Sequence, residues 1–142
     1  MKKKILAMLI LMLSLTFSAV LPVLAYSNDD INYSFTIGTN KTNGYSGVRH
    51  RSTTNTRNAW KVNMTYDSEG SNTQATYWLA RNSGKAIASD VHTIKASSGA
   101  HYYSATSVAS DKDVVLAAEN NNVKPKGYTV KGYWDEETGV YV

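Results

Sequence analysis

The sequence predicts an all-β protein, a two-sheet antiparallel sandwich with a small β-barrel as the alternative, preceded by a cleavable signal-peptide helix. Three observations carry this expectation. Apolar residues beyond position 25 recur with period two rather than 3.6, and they are the β-branched and aromatic types that suit a pleated surface. Clusters of Gly, Asn, Ser and Asp interrupt these runs at the short intervals typical of all-β folds. The first 25 residues form a three-part export leader instead of a structural element.

The leader opens with Lys2-Lys3-Lys4, continues through the apolar run Ile5–Leu13, and is interrupted by Pro22 just before Val23-Leu24-Ala25. Lysines hold the amino end on the cytoplasmic side, the apolar core enters the membrane, and small residues admit a peptidase. Cleavage is expected after Ala25, so that a secreted, extracellular chain begins at Tyr26. The apolar core is short for a span of about 20 residues, and membrane contact is expected only through the leader before cleavage.

Each element follows from local pattern. Ile31, Tyr33, Phe35 and Ile37 alternate with Asn32, Ser34 and Thr36, the signature of a strand with one apolar face. Segment 38–58, rich in Gly, Asn, Thr and Ser, is long for a connection and reads as a functional or mobile loop holding a short edge strand around Tyr45–His50. Trp60, Val62, Met64 and Tyr66 form the apolar face of the next strand. After the polar turn 67–72, Ala75, Tyr77 and Leu79 repeat the pattern, and the two runs are expected to pair as a hairpin. A second pair is expected from Ala86–Ala96 and Ala100–Val108 around Ser97-Ser98-Gly99. Val114–Glu119 is continuously apolar and reads equally as a buried strand or a helical turn, ended by Asn120-Asn121-Asn122. Tyr128–Trp134 is the last long strand.

Composition narrows the chemistry. The chain has 142 residues, 15 of them Lys or Arg and 11 Asp or Glu, for a net charge of +4. Three of the basic residues belong to the leader, so the part beyond Ala25 is nearly neutral, and the basis for a nucleic-acid partner disappears. Residues 26–142 have the length of a single secreted β-rich domain. With no cysteine, the chain cannot be stapled by disulfides or carry thiol chemistry, and stability rests on burial and strand pairing.

No catalytic constellation emerges. His50, His92 and His101 match no metal-ligand spacing. Gly44-Tyr45-Ser46-Gly47 lacks the spacing and the strand-to-helix context of a nucleophile elbow. Asp135-Glu136-Glu137 and Asp111-Lys112-Asp113 offer oxygens to calcium without the spacing of a known loop. The expectation is a protein with no cofactor, no metal and no enzymatic activity. A secreted hydrolase, the alternative, requires Asp90, His92, His101 and turn carboxylates to converge.

Ten tyrosines suggest recognition instead, since each ring joins apolar area to a polar tip and has little rotamer entropy to lose. Tyr102, Tyr103, Tyr133 and Trp134 are the candidates for stacking on sugars. Arg49, His50, Arg51 and Arg57 are the candidates for anionic cell-wall polymers or headgroups at the cell surface.

The leader, the cysteine-free β-rich remainder, the closing run Tyr128-Thr129-Val130-Lys131-Gly132-Tyr133-Trp134-Asp135-Glu136 and the run Val114–Asn120 together resemble a family of small exported proteins of unknown function from Gram-positive bacteria. That resemblance implies export and one domain, and transfers no catalytic residue. In size, leader and Tyr/Asn/His-rich β character the chain is also similar to lactococcin-like secreted bacteriocins, although its part beyond Ala25 is longer. The function expected is that of a non-enzymatic extracellular interaction or cell-surface protein, with a bacteriocin-like or bacteriocin-accessory role as the alternative.

Overall fold

Eight strands are divided equally between two sheets in a computed structural model that describes residues 28–70, 72–121 and 126–142. The expected leader helix and its cleavage point after Ala25 lie outside the described residues. In chain order the strands are β1 (Ile31–Ile37), β2 (Gly44–Arg51), β3 (Trp60–Asp67), β4 (Gln74–Arg81), β5 (His92–Lys95), β6 (His101–Tyr103), β7 (Lys112–Asn120) and β8 (Tyr128–Asp135). A 3-10 turn, Ser107–Ala109, precedes β7.

The first sheet has the order β1-β8-β3-β6 and the second β2-β7-β4-β5, all antiparallel. The architecture is the expected sandwich. The sheets are not joined into a barrel, and β1, β6, β2 and β5 stand at their edges.

Two expected hairpins are corrected. β3 pairs with β8 and β6, while β4 pairs with β7 and β5, so the chain crosses from one sheet to the other between β3 and β4. The reason lies in the apolar faces: Trp60, Val62 and Met64 and Ala75, Tyr77 and Leu79 bury against one shared core. They therefore meet face to face, across the ~10 Å between stacked sheets, instead of side by side. Asp67 shapes the departure by accepting the N–H groups of Glu69 and Gly70 at 2.9 and 2.8 Å. The pair around Ser97-Ser98-Gly99 separates likewise, β5 joining β4 and β6 joining β3. Left-handed backbone at Ser97 and Gly99 turns the chain over.

The continuous run Val114–Glu119 resolves as part of β7, a central strand buried on both faces. Val114, Leu116 and Ala118 enter the main core, while Val115 and Ala117 join Trp78, Ala80 and Tyr45 in a smaller cluster on the opposite face. Segment 38–58 holds a full eight-residue edge strand, β2, with a bulge at Ser46-Gly47 where Ser46 Oγ accepts the Leu116 N–H.

Core tyrosines add a pH dependence. Tyr33 donates to the Tyr77 hydroxyl at 3.0 Å and Tyr128 donates to the Gln74 carbonyl at 3.0 Å. Burial pushes the ionisation of all three well above the ordinary tyrosine value. Above about pH 10 an unfolded tyrosine releases its proton while these folded ones retain theirs, so the unfolded state binds fewer protons and stability falls as pH rises. Equilibrium urea unfolding should show a midpoint that declines above about pH 10, and Tyr128→Phe should flatten the decline; an unchanged slope in the variant would contradict this origin.

Candidate functional site

The site begins with a bulge. Along β3, Trp60, Val62 and Met64 point into the core, and alternation would send Tyr66 after them. Thr65 is an extra residue in the pairing with β8, so Tyr66 falls opposite Lys131 and turns to the outer face, where it is 48% exposed. This corrects the expected place of Tyr66 on the apolar face. The Lys131 ammonium lies 5.1 Å from its ring centroid.

Strand register places Lys61 beside Tyr102 and Asn63 beside Tyr133 on the same outer face. The Lys61 ammonium sits 5.8 Å from both the Tyr102 and the Tyr133 ring centroids. Asp30 and Asn28 hold it from the β1 side, and its side chain is only 3% exposed. Such a desolvated cation between two rings contributes up to about 2 kcal/mol per contact. Asn63 Nδ2 donates to the Tyr133 hydroxyl at 2.9 Å, and its buried Oδ1 has no partner. The outer face of the first sheet thus carries three tyrosines, Tyr66, Tyr102 and Tyr133, interleaved with Lys61, Asn63 and Lys131.

The other sequence candidates fall elsewhere. Trp134 is 1% exposed within the core, with the Arg49 guanidinium 6.0 Å from its ring, so it offers no stacking surface. Tyr103 alternates inward from Tyr102 and stacks on His92 at 3.6 Å between centroids. Burial there lowers the pKa of His92, against the charge of Asp90. The His101 ring centroid lies 6.1 Å from that of Tyr103. Ser98 Oγ is 2.7 Å from His101 Nε2, but the hydroxyl donates its hydrogen to the Lys95 carbonyl and so accepts a hydrogen bond from the imidazole N–H. That polarity fastens a turn and does not activate a nucleophile.

The arginine group is not a free basic patch. Arg49 pairs with Glu136 and with Asp29, the latter at 2.7 Å, and its side chain is 10% exposed. Arg51 is wholly enclosed and donates to the carbonyls of Glu136, Asn58 and Asn55. Burial lowers its pKa, opposed by the charges of Glu137 and Asp135. His50 faces outward between Asp113 and Asp111, which raise its pKa, and Arg57 donates to the Val142 carbonyl at 3.0 Å. The arginines expected to meet an anionic polymer therefore satisfy the protein's own acceptors.

Lys61, Asn63 and Lys131 escaped the sequence reading although alternation opposite the core marks them. No sequence signal marks the bulge that redirects Tyr66. Fold and site together define a two-sheet antiparallel β-sandwich that presents one tyrosine-bearing face. The chain belongs to a family of proteins of unknown function, DUF2712, which matches residues 21–138. No curated protein and no solved structure matches it.

Proposed function

We propose that the protein works outside the cell as a non-enzymatic binding protein whose tyrosine-bearing face takes cell-wall polysaccharide. The observation that carries this reading is the grouping of Tyr66, Tyr102 and Tyr133 with Lys61, Asn63 and Lys131 on one exposed sheet face. Sugar rings present apolar C–H faces and rims of hydroxyls, which match an aromatic ring beside an amide and a charged donor. The exposed Lys131 beside Tyr66 favours polymers bearing phosphate or carboxylate groups. The leader directs the chain to the compartment where such polymers occur.

The test uses protein recovered from culture medium, with Tyr26 as its first residue, and isolated wall polysaccharide in a co-sedimentation assay. Tyr102→Ala and Tyr133→Ala should each weaken binding about tenfold, equivalent to about 1.4 kcal/mol. Lys131→Gln should weaken it less and reduce its salt dependence. His50→Ala, on the second sheet, should leave it unchanged. Equal retention of wild type and both tyrosine variants would exclude this face.

A further inference from the structure

Where β8 ends beside the chain entering β1, three carboxylates gather from two distant parts of the sequence. One oxygen each from Asp29, Asp135 and Glu136 lies within 4.8 Å of the other two. Asp135 is wholly buried. Its Oδ1 accepts the Glu137 N–H at 3.0 Å, whereas its Oδ2 is buried without a hydrogen-bond partner among the described residues. An enclosed carboxylate oxygen left unsatisfied carries a large desolvation penalty.

The charges around it do not balance. Asp29, Asp30, Asp135, Glu136 and Glu137 supply five negative groups, and the cations that face them are Arg49, Lys61 and Arg51, the last giving its donors to backbone carbonyls. Arg49 spends its donors on Asp29 and Glu136, and Lys61 spends its ammonium on Asp30 and Asn28. The local surplus is two negative charges, next to one orphaned oxygen.

We propose that Asp29, Asp135 and Glu136 form a binding site for a divalent cation of the hard, oxygen-seeking class, with calcium as its natural occupant. The donors are all carboxylate oxygens, with no nitrogen or sulfur to favour zinc or copper. Calcium tolerates irregular geometry and completes its shell with water, which the half-exposed Asp29 admits, whereas magnesium demands near-ideal octahedra. Two positive charges cancel the surplus, and the ion satisfies the Asp135 oxygen that no described protein group reaches. It also ties the start of β1 to the end of β8. The site is independent of the polysaccharide reading.

Terbium luminescence, sensitised by the nearby Trp134 and Tyr133, and calorimetric titration with calcium test it on the purified protein. One equivalent should bind saturably, with a dissociation constant on the order of 10⁻⁴–10⁻³ M, the range of extracellular calcium modules. Asp135→Asn should weaken binding at least about tenfold with the circular dichroism spectrum retained. Asp29→Asn, at an exposed position where folding is not at stake, should do the same, and the exposed Asp90→Asn should bind as wild type. Absence of saturable binding up to about 10 mM calcium, or undiminished binding in both Asp29→Asn and Asp135→Asn, would overturn the proposal.

Discussion

Arg51→Ala is expected to destabilise the protein by about 3–5 kcal/mol, the cost of leaving a buried charged network without one partner. The guanidinium is 1% exposed and ties the end of β2 to two segments, the 52–59 connection through Asn55 and Asn58 and the chain just after β8 through Glu136. Its loss leaves enclosed carbonyls without donors, each worth about 1–3 kcal/mol, and opens a void beside Asp135 and Glu137. Equilibrium urea denaturation reads the effect directly. Arg51→Lys should recover little of it, because a lysine ammonium cannot reproduce the planar fork that spans separated carbonyls. A loss below about 1 kcal/mol in Arg51→Ala would show that the three carbonyls are satisfied in another way.

Gly132→Ala is expected to cost about 3 kcal/mol or more, at the upper end of what overpacking produces. Gly132 sits in β8 opposite Met64, and a methyl group there would overlap the Asn63 carbonyl oxygen and come within 3.0 Å of the Tyr33 hydroxyl. The first obstacle is backbone, so no rotamer change relieves it. Only separation of β3 from β8 does, and these are the two inner strands of the first sheet. A lowered thermal midpoint together with altered near-ultraviolet circular dichroism from Tyr33 and Tyr133 would confirm the mechanism. A variant as stable as wild type would mean that β3 shifts at the bulge to admit the methyl group. Within the motif Gly132-Tyr133-Trp134-Asp135, the glycine thus serves strand approach, the tyrosine the outer face, the tryptophan the core and the aspartate the carboxylate cluster.

Strand positions were legible because a half-buried strand writes its two faces into alternate residues, as Ile31–Ile37 and Tyr128–Trp134 do. The same rule made β7 ambiguous, since a strand covered on both sides has no polar face to reveal its period. Tyr102 and Tyr133 were named from the sequence only together with Tyr103 and Trp134, which the structure turns inward. The arginines misled because their residue type speaks for solvent, while their register on β2 turns Arg49 and Arg51 inward.

Period and composition, both local properties of the chain, suffice to establish an all-β fold with strands near their true positions. Pairing was decided by tertiary structure, because adjacent strands with matching apolar faces can lie side by side or face to face, and only the shared core selects the second arrangement. The bulge at Thr65, the buried donors of Arg51 and the meeting of Asp29 with Asp135 and Glu136 likewise depend on partners far away in the chain. No spacing rule reports such encounters, since they arise from where the two sheets bring separate segments together.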